Sequence, residues 1–92
     1  MIYTIYKVTN KINNKVYIGF TKQDPLLRFN QHVASAYKHI GKRSPIFHKA
    51  IVKHGENNFS IETIFQSTSF EDCLIMETHF IEDHKSFIDH IE

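Results

Sequence analysis

The stretch Ile2-Tyr3-Thr4-Ile5-Tyr6-Lys7-Val8-Thr9-Asn10-Lys11-Ile12-Asn13-Asn14-Lys15-Val16-Tyr17-Ile18-Gly19-Phe20 decides the fold. Residues 2–9 and 15–20 are rich in β-branched and aromatic types, which suit a pleated, half-buried surface, and the Asn residues between them favour tight turning. The stretch reads as a β-hairpin. Alternation at period two puts Tyr6 with Thr4 and Val8, and Tyr17 with Lys15 and Gly19. A four-residue turn from Asn10 to Asn13 predicts Tyr6 directly across from Tyr17, on one face. Such a pair has an ordinary reading, cross-strand packing worth under about 1 kcal/mol. Gly19 beside it adds another: a strand position without a Cβ admits close approach by a ligand or another backbone.

Beyond the hairpin, Asp24-Pro25 offers an N-cap followed by proline at the first helical position. It predicts a helix to about Lys38 with Leu26, Phe29, Val33 and Tyr37 on its apolar stripe. Gly41 to Ser44 is a polar loop. Ser44-Pro45 repeats the signal before a short helix with Phe47, Ala50, Ile51 and His54 on its stripe, stopped by Gly55. Phe59 to Gln66 carries enough β-formers for a third strand, and Ser69-Phe70-Glu71-Asp72 matches a capping box before a last helix to about Lys85. Residues 86–92 read either as a frayed helix end or as a strand or loop. The order ββααβα predicts a mixed α+β domain, a small antiparallel three-stranded sheet flanked by helices.

Composition bounds what such a chain does. Ninety-two residues, 41% hydrophobic and 23% charged, suit one domain over 1–92 with one core. The longest apolar run is Cys73 to Met76, against the roughly 18 residues of a membrane span, so no membrane partner is expected. The alternating N-terminus lacks the continuous apolar stretch of a signal peptide. A lone Cys73 cannot form an internal disulfide, which fits a reducing compartment; an intracellular, cytoplasmic location is expected. Residues 1–54 hold ten Lys/Arg against Asp24 alone, and residues 55–92 hold nine acids against Lys85 alone. A basic half of that density can attract a polyanion. Alternatively, the two halves fold together and their fields largely cancel beyond about 10 Å at ordinary salt.

Glu77 is the oddest placement. At about 100° per residue it lies beside the stripe of Phe70, Leu74 and Ile81, toward Cys73 and Phe80. Left unpaired there, a carboxylate costs several kcal/mol, so it is neutralised by a base, protonated, or bound to a metal ion; otherwise it snorkels to water at the stripe edge. Arg28 and His32, four apart, stack on a face flanking the stripe of the first helix. They form either a solvated pair or a clasp for a phosphate, with the guanidinium as a bidentate fork. The seven His have no i,i+3 or i,i+4 spacing and the single Cys offers no Cys-x-x-Cys, so structural zinc is not expected. A single inward carboxylate suits one hard divalent cation, completed by water and substrate oxygens, better than a two-metal clamp.

Together these positions resemble the GIY-YIG endonuclease family. Thr4-Ile5-Tyr6 stands for the first motif and Tyr17-Ile18-Gly19 for the second, followed by Arg28, His32 and Glu77 in order. The segment from Ala50 to Phe59 is similar to one found in phage and intron-type homing enzymes of that family. The resemblance implies hydrolysis of a phosphodiester in double-stranded DNA with one Mg²⁺ or Mn²⁺ ion bound through Glu77. It implies Tyr6 as general base or water-positioning group, Tyr17 as holder of the nucleophilic water, and Arg28 and His32 as stabilisers of phosphorane-like charge or proton relays. Lys15, Gly19 and Lys22 are expected on the substrate side, and the isolated chain is expected to be a monomer. An unperturbed tyrosine has a pKa near 10, so such a base needs cationic help, which Lys15 or the metal can give.

Two departures from the family pattern stand out. Thr4 replaces the first glycine of the first motif, and no Asn follows Asn58, although family members commonly carry an active-site Asn after the last helix. The expectation is therefore a catalytic domain of a longer protein whose C-terminal part reads DNA sequence, cutting weakly by itself. Two other readings use the same scaffold: an inactive nucleic-acid-binding module, and a restriction or structure-specific repair nuclease.

Overall fold

The computed structural model describes residues 1–84 and 87–91, with side chains through Asp83. The elements are β1 (Tyr3–Asn10), β2 (Val16–Thr21), α1 (Pro25–Lys38), α2 (Ile46–His54), β3 (Phe59–Ser67), α3 (Phe70–His84) and β4 (Phe87–Ile91), with a short 3-10 turn at Glu56–Asn58. The three antiparallel strands and three helices come in the expected order. Strand β4 adds to them in the segment that the sequence leaves open, running parallel to β2, so the sheet order is β3-β1-β2-β4. Lys85, Ser86 and Glu92 lie outside the described residues.

The hairpin register differs from the expected one by two residues. Tyr6 pairs with Gly19 and Val8 with Tyr17, so the tyrosines share a face as diagonal neighbours instead of direct partners. The cause is a longer turn. The Asn10 N–H donates to the Lys15 carbonyl at 2.9 Å, the Asn14 N–H donates to the Asn10 carbonyl at 2.7 Å, and Asn14 takes up the left-handed backbone at φ 61°. The Asn10 and Asn13 side chains accept from the Ile12 and Lys15 N–H groups and hold the loop shut.

Strand alternation splits the core into two layers. Tyr6, Val8 and Tyr17 pack with Phe29, Val33, Ala36, Phe47, Ile51 and Phe59 under α1 and α2. Ile5, Ile18 and Phe20 face the other way, against Cys73, Leu74, Phe80 and Ile81 of α3. Between β1 and β3 the register shifts so that Ile5 faces Phe65 and Tyr6 faces Thr63. Ile64 is the extra residue of this bulge, and both it and Phe65 pack on the α3 layer.

Helix α1 is capped as its sequence implies, with the Asp24 carboxylate accepting from the Leu26 N–H at 3.0 Å and Pro25 at the first position. Its buried face is Phe29, His32, Val33 and Ala36, while Leu26 and Tyr37 are exposed. The stripe is thus rotated from the expected one. At α2 the cap is Pro45 and no side chain caps the helix; Ser44 does not take that part. Its buried residues are Phe47, His48 and Ile51, so His48 takes the inward place expected for His54. Gly55 ends α2 at φ 83°, as its permissive backbone allows. At α3, the Ser69 hydroxyl accepts from the Asp72 N–H at 3.2 Å, one of the two bonds of a capping box, while the Ser69 N–H donates to the Ser67 hydroxyl at 3.0 Å. Among the described residues no helix is long and apolar enough to cross a membrane.

Candidate active site

The hairpin sets the first two candidate groups. Tyr6 and Tyr17 are fully enclosed on the α1/α2 side of the sheet. The Tyr6 ring lies over Gly19: a Cβ at position 19 would stand 2.5 Å from the Tyr6 phenol oxygen and 2.7 Å from its ring edge. The close approach that the glycine permits is made by Tyr6 itself. Tyr17 also borders a hollow of about 190 Å³, whose wall includes Lys15, Lys49, Ala50, Lys53 and His54. Thr4, in the place of the motif's first glycine, is buried and accepts from the Gln66 side chain at 3.3 Å, so its added Cβ is accommodated.

An aromatic chain connects the tyrosines to α1. Phe47 packs 4.7 Å from the Tyr17 ring and 5.2 Å from the His32 ring. His32 points inward, and its Nδ1 meets Nε2 of His48 at 2.8 Å. One of these two nitrogens carries the proton and donates to the other. His48 is a site residue that sequence reasoning passed over. Its signal was present: His48 stands three residues before Ile51, hence on the same helical face. Arg28, half-buried one turn before His32, donates from Nη1 to the Gln31 side chain at 3.1 Å, and Gln31 donates in turn to Gln23 at 3.0 Å. The pair is therefore not a solvated i,i+4 couple: Arg28 is braced along α1, and His32 is part of the core. Lys15 is exposed at the hollow beside Tyr17. Lys22 is exposed on the link from β2 to α1 and enters none of these contacts.

Glu77 comes from the helix on the other layer. It is 4% exposed, one turn beyond the buried Cys73, and its Oε2 has no hydrogen-bond partner among the described residues. Burial pushes its carboxyl from the ordinary 4.5 up to about 7. The alternative of a carboxylate snorkelling to water is thereby removed. Burial, followed by the neighbouring Asp72 carboxylate, also raises the Cys73 thiol. The tyrosines and His32 thus share one side of the sheet, and Glu77 enters from α3, which packs on the opposite side. Among the described residues no group of three His, Cys, Asp or Glu is placed to hold a metal ion.

Comparison with known proteins sets this arrangement in context. Residues 2–90 match the GIY-YIG catalytic domain family. The chain is 37% identical over 82 residues to 146R of Invertebrate iridescent virus 6, named as a candidate MSV199 domain-containing protein, covering 87% of this chain and 32% of that one. It is 33% identical over 81 residues to segB of Enterobacteria phage T4, named as a candidate endonuclease, covering 88% of this chain and 32% of that one. The chain thus spans about a third of the length of these relatives. Among solved structures it superposes on the catalytic domain of homing endonuclease I-TevI with a TM-score of 0.73 and 27% identity, covering 90% of this chain and 88% of that one. A mutant form of the same domain gives a TM-score of 0.74 and 28% identity, covering 92% and 86%. With residues 2–90 matching the family and the fold superposing on a solved catalytic domain, the chain belongs to the GIY-YIG family of endonuclease catalytic domains.

Proposed function

We propose that this domain hydrolyses phosphodiester bonds of double-stranded DNA with the help of one divalent cation, Mg²⁺ or Mn²⁺, and that Glu77 is the protein's ligand to it. The observation that carries the reading is the Glu77 carboxyl itself. An enclosed oxygen without a partner, on a group whose charged form is disfavoured by burial, calls for a positive charge. A hard cation held by one carboxylate, with water and substrate oxygens completing its shell, fits a donor set of one, and Mg²⁺ sites of this kind are common. When bound, the ion supplies positive charge to the developing phosphorane and acidifies water.

The chain's own groups supply the rest. Tyr17, in the wall of the hollow, holds the attacking water, and Tyr6, set behind it over Gly19, positions that water or, as a phenolate with cationic help, takes its proton. The Arg28 guanidinium, braced through Gln31 to Gln23, offers directional donors to the scissile phosphate. His32, fixed by His48, stabilises charge or passes a proton to the leaving oxygen. Because a phosphoryl transition state mainly needs in-line positioning and positive charge, these roles suffice without a covalent intermediate. The relatives are about three times longer, which supports the domain as the cutting part of a larger protein that reads the target elsewhere. The buried thiol of Cys73 suits the intracellular setting where such DNA is found.

The test is nicking of supercoiled plasmid by the purified chain with Mg²⁺ and with EDTA. Cleavage with Mg²⁺ that disappears in EDTA and in Glu77→Ala supports the reading. DNA binding without nicking in any divalent cation refutes it in favour of an inactive binding module.

A further inference from the structure

Helix α2 turns Phe47, His48 and Ile51 inward and leaves Lys49 and Lys53 exposed. These two are four residues apart, hence one above the other about 6 Å along the helix axis. Like charges at that spacing destabilise a helix by about 0.2–0.5 kcal/mol, and neither lysine forms an ion pair among the described residues. Lys53 in the last turn of α2 complements the helix dipole, but Lys49 has no such role. Both lysines stand on the ridge between two hollows. One, about 190 Å³, has Tyr17, Lys15 and His54 in its wall. The other, about 260 Å³, has Lys42 and Gly41. Among the described residues neither wall contains an Asp or Glu. Each hollow is smaller than the roughly 300–1,000 Å³ of a small-molecule pocket, and the cations run from one to the other instead of converging on one point.

We propose that Lys42, Lys49, Lys53 and Lys15 form a track for the phosphodiester backbone of one DNA strand, leading along α2 to Tyr17. This rests on the reading of the domain as a DNA nuclease and adds to it the surface that receives the substrate. A backbone carries a charge at every nucleotide, and it matches a row of ammonium groups along walls whose described residues include no carboxylate. Lys49 and Lys53 are the centre of the row, since both hollows share them. Tyr17 fixes the direction, because it is the tyrosine of the pair that lies in the wall of the hollow lined by Lys15, Lys49 and Lys53.

The experiment measures binding of the full chain to a fluorescent 20-base-pair duplex in EDTA, from 50 to 200 mM salt. Each phosphate contact on duplex DNA contributes about −0.9 to the slope of log affinity against log salt, so Lys49→Gln/Lys53→Gln should lower the slope by about 1.8 and shrink the affinity drop over this range about twelvefold. Lys49→Arg/Lys53→Arg should keep the slope, and Lys38→Gln, on the last turn of α1, should leave it unchanged. The proposal is overturned if the double Gln variant, folded by circular dichroism, keeps the wild-type slope. It is also overturned if millimolar inorganic phosphate displaces the duplex, which marks a small-anion site. A wild-type chain with no salt-dependent binding at all sinks the nuclease reading together with the track, whereas wild-type binding with an unmoved variant sinks the track alone.

Discussion

Glu77→Gln keeps the volume of the side chain and removes its proton, so it isolates what ionising this buried group costs. In the folded chain the carboxyl titrates at about 7 and ordinarily at 4.5. Between those values the unfolded chain has released a proton that the folded chain retains, so stability falls as pH rises through this window and levels off above about 7. The difference corresponds to at most about 3 kcal/mol at pH 8. The Gln variant has no proton to lose there, and other groups cancel between the two proteins. Urea unfolding in EDTA should show the variant and wild type alike near pH 4.5, with the variant progressively more stable by pH 8. Each kcal/mol is about 4–8 °C in Tm for a domain of this size. Magnesium should then stabilise wild type at pH 8 by mass action and leave the variant where it was. A difference that does not change with pH, or equal stabilisation of both by magnesium, refutes the reasoning about Glu77 as a desolvated cation ligand.

Other substitutions test the rest of the site. Gly19→Ala puts a Cβ into the Tyr6 ring; a loss of about 1–3 kcal/mol is expected from overpacking, and nicking should fall with it. Unchanged urea midpoints would refute this contact. His48→Ala leaves a buried nitrogen of His32 without its present partner and should cost about 1–3 kcal/mol, while His48→Gln should recover part of the nicking rate; equal rates in the two variants would exclude a role in orienting His32. Asp24→Ala removes the α1 cap, with an expected loss of about 0.5–2 kcal/mol by thermal unfolding. Cys73 is enclosed and its thiol is held protonated, so alkylation by iodoacetamide should be slow in native buffer and fast in urea, as mass spectrometry would report.

What was legible in the sequence was local. Asp24-Pro25 and Ser69-Phe70-Glu71-Asp72 each satisfy a helix start within a few residues, and both do so in the structure. The inward turn of Glu77 followed from helical period alone. The hairpin register was not legible, because it depends on whether Asn14 adopts the left-handed conformation and lets Asn10 pair with Lys15. The α1 stripe misled through residue type: Leu26 and Tyr37 are apolar yet exposed, while His32 is polar yet inward. The reason is His48, a partner 16 residues away on another helix, which pattern within one helix cannot reveal. Strand β4 likewise depends on a long-range parallel pairing with β2. The sequence named the candidate residues without their geometry: the tyrosines lie in the layer under α1 and α2, whereas the carboxylate comes from the helix that packs on the other layer.

That separation has a consequence for the chain as it is made. The buried residues of the tyrosine layer all lie at or before Phe59, whereas the carboxylate comes later in the chain, on α3. A nascent chain can bring its aromatic groups together while still lacking its acid, so any step that uses Glu77 waits until α3 has been made.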